Sequence, residues 1–479
     1  MSDAPRIEHT SPRDWKYISE GGSTIVFSYT GPAHPQFDGT ALRLRKRPVS
    51  AAAPHGYDTQ RNIEKQADGS ASAVEEEPVD EPDDPTIVFQ RTVIEQLVPR
   101  AHLPRLDAVH VARAWLAELA ALTEPLRPPE RRVADAIDTD RRKAVLATDL
   151  VGGEGWAVEI KPKWGFLPAP THLSPTTGPI KTRTCRFCMH AHLRRTALPN
   201  LKGASGDGDG EDGHGYCPLD LFADDPVRVR RALHALWGAW VASGGTVNNL
   251  RVFVKGKMVR PTTDPASLAP LAEQLFPGSQ EEPTPAPDAL RDAFTSAVLP
   301  LLLHTPVLHT LSRLQRTLDG LDVEGLAALW AHLRGADVPL GHGEPDPDVG
   351  EWAGFVDAYL ARQRAGDERL GVQEGSELEK SEAELRYRIL AYLLSASFKD
   401  CSLILRLPPS PSPSLSHPAQ HSSAPNDEDE ERAPAGTVTV IDLDVKSVGR
   451  LAKWAALDAE IVGAYRGAAR PCECVDALD

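Results

Sequence analysis

Two lysines separated by one proline form the most distinctive polar segment of the sequence. Lys161-Pro162-Lys163 ends an apolar run, so it leaves a strand predicted at 156–161. Because proline fixes φ and cannot continue a strand ladder, both ammonium groups stay near one loop. Such a loop suits a ligand with several anionic oxygens. A solvated basic turn is the alternative, although the eight-residue string 159–166 is improbable as a coincidence.

Carboxylates and cations alternate near the end of the chain. A strand predicted at 437–444 ends in Asp442 and Asp444, and the two-residue period of a strand places both carboxylates on one face. Hard oxygen ligands of this kind can hold magnesium. Lys446 shares that face, and Arg450 follows where a helix begins. The alternative is a buried strand that ends in a solvated pair of aspartates.

Further polar side chains lie at the junctions of predicted elements. Asp400 follows a helix predicted at 378–398 and precedes an apolar strand. A carboxylate there can accept a proton from a bound hydroxyl group, although a helix-capping aspartate is commoner. Asn248 and Asn249 directly precede a strand predicted at 250–254, where amides also occur simply as turn residues.

A glycine-rich turn separates the first two predicted strands. It contains Gly21, Gly22, Ser23 and Thr24. Glycine lets the backbone come close to a ligand, and free N–H groups in such a turn suit phosphate oxygens. Taken alone, the segment is explained as well by an ordinary hairpin turn.

The cysteines raise the question of a metal site. Cys185 and Cys188 have the spacing of a zinc-binding pair, and Cys217 follows across a loop. A fourth ligand would have to come from His190 or His192, which lie within a few residues of the pair. Unpaired thiols on a helix are the simpler interpretation, so zinc is not expected here.

Charge is unevenly distributed along the chain. The net charge is −16, but the runs 75–84, 207–212 and 427–431 hold seven, four and five acidic residues without a lysine or arginine. These runs lie in sequence rich in proline, glycine or serine that is typical of solvated loops. The rest of the chain is therefore about neutral, and an acidic total does not exclude a phosphate-rich ligand.

Cysteine usage and hydropathy bear on the compartment. Six cysteines among 479 residues are too few for a disulfide scaffold, and Cys472 and Cys474 in a predicted tail are assigned no role. No apolar signal follows Met1, and no run approaches the roughly 20 apolar residues that a bilayer requires. These features predict an intracellular protein with reduced thiols that does not act at a membrane.

The predicted elements divide the chain into a smaller strand-rich part and a larger mixed part. The N-terminal part covers residues 1–155 and the C-terminal part covers 156–479, which together predict an α/β (α+β) fold with two lobes. Low-complexity inserts are predicted at 48–85, 200–215 and 407–434. Strands are predicted at 15–18, 24–29, 41–45 and 144–150, and helices at 108–122, 183–195, 226–242, 288–304, 307–318, 323–334, 350–364 and 448–465.

In this order, the motifs resemble those of the inositol-pentakisphosphate 2-kinase family. The string Glu159-Ile160-Lys161-Pro162-Lys163 is the most specific, and the resemblance extends from about residue 14 to about 465. The other segments that carry it are 20–22, 42–46, 185–190, 218–222, 248–253, 399–402 and 441–446.

The resemblance implies a kinase-like fold with ATP between two lobes, magnesium, and transfer of phosphate to the 2-hydroxyl of inositol 1,3,4,5,6-pentakisphosphate, which gives the hexakisphosphate (phytate). It implies that Asp400 is the base, that Asp442 binds magnesium with Asp444 as a second ligand, and that Lys161 is catalytic. The nucleotide would contact Gly21, Gly22, Ser23, Thr24, Arg43, Asp149 and Asn249; the substrate phosphates would contact Arg132, Lys163, Arg194, Asn248, Lys446 and Arg450. The family also suggests a monomer of the nucleus and cytoplasm without a nucleic-acid partner.

Some positions depart from the pattern of the family. Arg194 stands where some relatives have lysine, Trp454 where some have tyrosine, and Asp444 where some have serine. Because Trp454 lacks a hydroxyl group, no phosphate contact is expected from it. The zinc site of plant relatives lies in a region that corresponds to 319–390, which contains no cysteine here.

Two other functions compete with this interpretation. A non-catalytic inositol phosphate-binding protein of the same fold would be expected to lack Asp400 or Asp442, and both are present. A zinc-dependent nucleic-acid module around 185–192 would need a basic surround, whereas the flanking segment 203–215 is acidic.

Overall fold

The computed structural model describes residues 5–49, 81–197, 215–277, 286–365, 381–409, 436–469 and 471–477. Most of each predicted insert, at 48–85, 200–215 and 407–434, lies outside these residues. The chain divides into two compact units. Unit 1 comprises Met1–Ile87 and Arg105–Asp149, and unit 2 comprises Val88–Pro104 and Leu150–Asp479.

Unit 1 is built on an antiparallel sheet. Its strands follow the order β1-β2-β3-β6-β4, and β5 pairs with β3. Every pairing is antiparallel. The strands are β1 (Trp15–Glu20), β2 (Thr24–Tyr29), β3 (Thr40–Pro48), β4 (Leu106–His110), β5 (Asp135–Ile137) and β6 (Lys143–Thr148); the helices are α1 (Pro85–Thr92), which continues into unit 2, α2 (Arg113–Thr123) and α3 (Pro129–Ala134).

Alternation along the strands builds the core of unit 1. Ile25 and Phe27 on β2 and Leu42 on β3 are fully buried and belong to one apolar cluster. The helix predicted at 108–122 is wrong in its first turn, because residues 106–110 pair with β6 as strand β4. Sheet pairing here outweighs the helix propensity of the alanine-rich sequence.

Unit 2 contains a second antiparallel sheet, in the order β11-β10-β7-β8-β9. All five residues of the central strand are buried, including Glu159. The fold-class prediction of a mixed α and β chain is therefore confirmed. The strands are β7 (Trp156–Ile160), β8 (Leu250–Val254), β9 (Lys257–Val259), β10 (Ser402–Leu407) and β11 (Thr437–Ile441).

Helices make up most of the rest of unit 2. Those that line the site described below are α5, α13 and α14, and α10 packs against α13. The helices are α4 (Gly178–Lys181), α5 (Arg186–Ala197), α6 (Pro218–Leu221), α7 (Pro226–Ala242), α8 (Ala269–Leu275), α9 (Pro287–His304), α10 (Val307–Leu318), α11 (Asp322–Arg334), α12 (Val349–Arg364), α13 (Glu382–Asp400) and α14 (Leu451–Tyr465).

None of the helices in the described ranges is by itself long and apolar enough to span a bilayer. By length and composition alone, the bent pair Pro287–His304 and Val307–Arg334 passes that test together.

Two details differ from the sequence predictions. The strand predicted at 437–444 ends at Ile441, because Asp442 has a φ of 62° and leaves the extended conformation. At the end of the predicted insert 48–85, Asp84 accepts two hydrogen bonds of 2.6 Å from Arg45. The last residues of that segment thus belong to the ordered contacts of unit 1.

Candidate active site

The register of the unit 2 sheet gathers four polar residues at one edge. Ile160 of β7 pairs with Leu250 of β8 and with Leu403 of β10, and Ser402 pairs with Ile441. Since neighbouring strands are antiparallel, the end of one strand lies beside the start of the next. The residues brought together are Lys161, Asn249, Ser402 and Asp442.

Lys161 is held between carboxylates at this edge. Its Nζ lies 2.7 Å from Ser402 Oγ, 3.1 Å from Asp442 Oδ2 and 4.0 Å from Glu159 Oε1. Burial alone would lower the pKa of Lys161, but the charge of Asp442 and its hydrogen bond, with Glu159, raise it above the ordinary value. Lys161 therefore stays cationic at neutral pH.

Ser402 is a site residue that sequence reasoning missed. Its fully buried hydroxyl lies 3.0 Å from Glu159 Oε1 and 3.0 Å from Asp442 Oδ2, and it can donate its proton to only one of them. The signal in the sequence was its position two residues after Asp400, at the start of an apolar strand.

Asp442 keeps one carboxylate oxygen available. Its side chain is 39% exposed, and its described contacts all use Oδ2, which leaves Oδ1 without a hydrogen bond among the described residues. Asp444 is exposed, and its backbone oxygen accepts a hydrogen bond of 2.7 Å from Ser397. The strand ends before both aspartates, so the strand alternation from which a shared face was predicted does not exist.

Asp400 ends α13 and carries two cationic neighbours. Lys446 Nζ lies 2.8 Å from Asp400 Oδ2, and Lys163 Nζ lies 3.6 Å from Oδ1. Burial would raise the pKa of Asp400, but the hydrogen bond from Lys446 and the charges of Lys446, Lys163 and Lys161 together hold it below its ordinary value. The carboxylate is therefore ionised at neutral pH and can accept a hydrogen bond from a hydroxyl group.

Lys163 reaches Asp400 from a strained backbone. Its φ of 68° lies in the left-handed region, which residues other than glycine rarely adopt. Burial lowers the pKa of Lys163, and the neighbouring charge of Lys161 adds to this, while Asp400 opposes it. Held in this conformation, the two lysines of the Lys-Pro-Lys motif contact different carboxylates, Lys161 that of Asp442 and Lys163 that of Asp400.

The side chain of Gln315, on α10, holds the loop that carries Lys163 by hydrogen bonds. Its Nε2 donates to the carbonyl oxygens of Lys163 and Phe398, both at 3.0 Å, and its Oε1 accepts from Gly165 N at 2.8 Å. Gln315 is completely buried. One amide thus joins the loop that carries Lys163 to the helix end that carries Asp400.

Asp400 and its two lysine neighbours line a cavity of about 350 Å³ within unit 2. Of the predicted residues of unit 2, Lys161, Asp442 and Asp444 do not line this cavity. Its volume suits a small-molecule ligand. Of the predicted residues, the structure brings Lys163, Arg194, Asn248, Asn249, Asp400, Lys446 and Arg450 to this cavity; Arg186, His190, Tyr392 and Lys399 line it without having been predicted, as do Trp164, Phe187, Ala396, Trp454 and Leu457.

Helical spacing could have identified two of the missed residues. Arg186, His190 and Arg194 are four residues apart on α5, so they share one face of the helix. Arg186 forms an ion pair with Asp458 of α14 and lies over the ring of Trp164 at 5.4 Å. Burial and the charge of Arg194, with that of Arg186, lower the pKa of His190.

Lys399 lines the cavity from α13 and is nearly fully buried. Its ammonium group pairs with Asp319, which is also buried. Burial raises the pKa of Asp319 to about 6 and lowers that of Lys399, although each partner favours the charged form of the other. The sequence could have pointed to Lys399 as a site residue, because it directly precedes Asp400.

The predicted glycine turn joins β1 to β2 in unit 1. Gly21 N donates to Thr24 O at 2.9 Å, and Ser23 O accepts from Lys46 N at 3.0 Å. A Cβ added at Gly21 or Gly22 would meet no atom within 4 Å, and neither glycine has a left-handed φ. No contact or conformation among the described residues requires glycine at these two positions.

A buried ion cluster anchors the end of β1 beside this turn. Glu20 accepts hydrogen bonds from Lys46 at 3.2 Å and from Arg127 at 2.8 Å, and both cations also contact Asp135. Burial would raise the pKa values of Glu20 and Asp135, but their partners Arg127 and Lys46 lower both. The cluster is a structural feature that the sequence patterns did not indicate.

The remaining predicted residues of unit 1 occupy separate elements. Arg43 lies on β3 opposite Val26 and Val145. The buried carboxylate of Asp149 accepts a hydrogen bond from Ser28. Arg132 lies on α3, and its buried Nε has no hydrogen-bond partner among the described residues. Their ligand-binding roles stay predictions.

Four thiols meet elsewhere in unit 2. The Sγ atoms of Cys185, Cys188, Cys217 and Cys474 all lie within 4.8 Å of one another. Zinc was not expected from the sequence because the cysteine pair and Cys217 lacked a convincing fourth ligand. In the structure, the fourth group is Cys474, to which the sequence analysis assigned no role. Within the described residues, this is the one group of three or more His, Cys, Asp or Glu side chains close enough to share an ion.

Comparison with known proteins agrees with the motifs. The family model described as inositol-pentakisphosphate 2-kinase matches residues 17–460. A protein of that name from Cryptococcus neoformans is 34% identical over 465 residues, which cover 94% of this chain and 93% of the relative. One from Arabidopsis thaliana is 25% identical over 479 residues, and one from Danio rerio is 26% identical over 279. This chain belongs to the inositol-pentakisphosphate 2-kinase family, a family of enzymes with a kinase-like fold.

Proposed function

We propose that this protein transfers the γ-phosphate of ATP to the free 2-hydroxyl of inositol 1,3,4,5,6-pentakisphosphate and so produces inositol hexakisphosphate, or phytate. The relatives carry the name of this activity, and the cavity of unit 2 has the charge that such a substrate needs. Magnesium is expected as the accompanying ion.

The charge of the cavity wall carries the proposal. Among the described residues, six lysines and arginines line the cavity, against a single carboxylate, that of Asp400. This is the reverse of the whole chain, whose net charge is −16. Five phosphates bring roughly −8 to −10 charges at about −1.5 to −2 each. The six cations are Lys163, Arg186, Arg194, Lys399, Lys446 and Arg450.

The single carboxylate explains how the free hydroxyl would be selected. A phosphate placed beside Asp400 would be repelled, whereas a hydroxyl group can donate a hydrogen bond to it. The five phosphates would then contact the surrounding cations. A ring with fewer phosphates would leave cations of the cavity without a phosphate partner, so it should bind and react less well.

Asp400 would act as the proton acceptor. The substrate oxygen forms a bond to the γ-phosphorus, the bond from that phosphorus to the β–γ bridging oxygen breaks, and the hydroxyl proton passes to the Asp400 carboxylate. A carboxylate with a lowered pKa is a weak base, but phosphoryl transfer has a loose transition state that needs positioning more than strong deprotonation. Lys446 and Lys163 keep the carboxylate ionised for this purpose.

The sheet edge of unit 2 contains a carboxylate that could bind magnesium, that of Asp442, and a cation beside it, Lys161. Asp442 has a carboxylate oxygen free of hydrogen bonds among the described residues, which is the hard ligand that magnesium prefers. Bound there, magnesium would neutralise charge on the transferring phosphate. Lys161 holds the other oxygen of Asp442 and so orients it. Asp444 as a second ligand stays a prediction.

The glycine turn supports nucleotide binding by unit 1. Neither crowding nor conformation within the polypeptide requires Gly21 and Gly22, so close approach of a ligand is a sufficient reason for them. The roles of Ser23, Thr24, Arg43 and Asp149 toward the nucleotide stay predictions, as do the monomeric state and the nuclear and cytoplasmic location.

A product assay tests the proposal. Purified protein is incubated with magnesium ATP and inositol 1,3,4,5,6-pentakisphosphate, and the products are separated by anion-exchange chromatography. We expect hexakisphosphate from the wild type and a loss of about 10²- to 10⁴-fold in kcat for Asp400→Asn. Asp357→Asn, at an exposed acid on α12, is the matched control and should keep normal turnover.

The outcomes separate the competing functions. A well-folded wild type that binds the pentakisphosphate without turning it over would favour a non-catalytic binding protein. Near-normal turnover by Asp400→Asn would remove Asp400 from the role of base. Equal rates for tetrakis- and pentakisphosphates would contradict recognition by the full set of cations.

A further inference from the structure

An ion pair connects an arginine of the cavity to a buried carboxylate outside it. Arg186, the first residue of α5, lines the cavity and pairs through its Nη1 with Oδ1 of Asp458 on α14. Asp458 is only 5% exposed and does not itself line the cavity. We propose that Asp458 is a positioning residue for the substrate, because it holds the Arg186 guanidinium in the orientation in which it contacts a phosphate of the inositol ring. This inference rests on the proposed function.

The contacts of Arg186 leave hydrogen-bond donors for a ligand. Among the described residues, its guanidinium donates one hydrogen bond, from Nη1 to Asp458, so Nε and Nη2 have no acceptor there. The guanidinium also lies over the ring of Trp164, 5.4 Å from the centroid. Because its N–H donors form a rigid planar fork, an arginine held by one nitrogen and one ring presents its other donors in a fixed direction.

Lys181 of α4 holds Asp458 in turn. Its Nζ lies 2.8 Å from Asp458 Oδ2, so each carboxylate oxygen has its own cationic partner. Lys181 is nearly fully buried and also pairs with Asp322 and, at 3.6 Å, with Glu324. Burial would lower the pKa of Lys181, but the charges of Asp322 and Asp458 raise it above its ordinary value. Lys181 therefore stays charged, and Asp458 is fixed at both oxygens.

The pair joins two elements that bring cations to the cavity. Helix α5 carries Arg186 and Arg194, and α14 begins directly after Arg450. The two helices also pack through apolar side chains, so their contact does not depend on the ion pair alone. Loss of the Asp458 carboxylate should therefore release the Arg186 guanidinium without separating the helices. The shared apolar cluster contains Met189, Ile461, Val462 and Tyr465.

A role in stability alone is the alternative. The group of ion pairs around Lys181 contains three carboxylates, those of Asp322, Glu324 and Asp458, but only two cations, Lys181 and Arg186. Asparagine at position 458 would keep the shape of the side chain and leave two carboxylates for two cations. Because this removes the acid that is in excess, we expect Asp458→Asn to fold, and its effect on binding can be measured.

Calorimetric titration with inositol 1,3,4,5,6-pentakisphosphate, without ATP, is the first test. A hydrogen bond to a charged group contributes about 1.5–3 kcal/mol, so a misplaced Arg186 should raise Kd about tenfold or more in Asp458→Asn. KM for the pentakisphosphate should rise with Kd, while KM for ATP should stay within about twofold. Glu460→Gln, at an exposed acid on the same helix, is the matched control and should keep the Kd of the wild type.

A double-mutant cycle separates positioning from stability. If Asp458 acts through Arg186, Asp458→Asn should cause no further loss of affinity in the Arg186→Met background. Losses that add in the double variant would overturn the proposal, because Asp458 would then act by another route. An unchanged Kd in folded Asp458→Asn would overturn it as well.

Arg186→Lys keeps the proposal testable if Asp458→Asn does not fold. Lysine keeps the charge and can pair with Asp458, but it has one ammonium group in place of a fork and cannot serve both partners in the same geometry. We expect Arg186→Lys to lose as much affinity as Arg186→Met, and wild-type affinity in Arg186→Lys would overturn the proposal. A wild type that binds the pentakisphosphate without forming hexakisphosphate would contradict the proposed function alone, since the calorimetric results would still decide the role of Asp458.

Discussion

Lys446 donates a hydrogen bond of 2.8 Å to Asp400, although the two residues are 46 positions apart in the sequence. The contact helps to keep Asp400 ionised, which is the one carboxylate that the described residues contribute to the cavity, and Lys446 lines the same cavity. Under the proposed function, this one ion pair would couple recognition of phosphate by Lys446 to the ionisation of Asp400 as proton acceptor.

Replacement of Lys446 by methionine should move the pH profile. Without Lys446, burial is less opposed, so the pKa of Asp400 rises toward or above its ordinary value of 3.8. Protonated Asp400 cannot accept the hydroxyl proton, so the acidic limb of kcat/KM should shift to higher pH. The measurement is kcat/KM against pH, which reports groups of the free enzyme.

The control for this variant is Lys453→Met, at an exposed lysine on α14 that does not line the cavity. It should leave both the profile and the KM unchanged. An acidic limb that stays in place in Lys446→Met, while KM rises, would mean that Lys446 binds substrate without setting the protonation of Asp400.

Gln315 should act as a positioning residue. Gln315→Leu removes three hydrogen bonds: those to Gly165 N, to Lys163 O and to Phe398 O, of which the last keeps the Cys401 thiol as a donor. Each buried group left unsatisfied costs about 1–3 kcal/mol. We expect a lower free energy of unfolding in urea and a fall in kcat that exceeds the change in KM for ATP. Ser312→Ala, which removes one hydrogen bond to Gly165 O, should have a smaller effect on both. Normal kcat in a destabilised Gln315→Leu protein would assign it a structural role only.

A double-mutant cycle should measure a large coupling free energy between the buried residues Lys399 and Asp319. Lys399→Met leaves a buried carboxylate without its partner and should cost about 3–5 kcal/mol, while Lys399→Met with Asp319→Leu should recover most of this. Arg47→Met, in an exposed pair with Asp140, should cost at most about 1 kcal/mol. Urea unfolding of the four proteins in the cycle measures the coupling, and additive effects would contradict it.

The ion cluster at the glycine turn should make unit 1 sensitive to acid. The pKa values of Glu20 and Asp135 are lowered in the folded state, so their stabilisation is present above their ordinary values of 4.5 and 3.8 and is lost as pH falls toward the folded values. Arg127→Met should destabilise the protein at pH 7 and flatten this acid dependence. Thermal unfolding between pH 3 and pH 7 tests it, with the exposed Arg113→Met as the control. An unchanged acid dependence would exclude Arg127 as the cause.

Local sequence patterns predicted the bounds of several strands and helices. Strand β2, strand β8 and helices α7 and α10 begin and end where alternation and helical periodicity predict. Errors arose where tertiary pairing decides the conformation, as in 106–110, which pairs with β6, and at Asp442, whose left-handed φ ends a strand early. Neither event leaves a mark in local hydrophobicity.

The sequence by itself determined the family: the Lys-Pro-Lys motif, the paired asparagines, Asp400, Asp442 and the cations that follow it are short local motifs, and together they resemble those of the inositol-pentakisphosphate 2-kinases. Only the tertiary structure decided which groups meet. It pairs Lys446 with Asp400 and lets Gln315 donate a hydrogen bond to the backbone of Lys163. It also brings Cys474 close to Cys185, Cys188 and Cys217. The physical reason is that side-chain contacts depend on strand register and helix packing between segments far apart in the chain, and a local pattern contains no information on either.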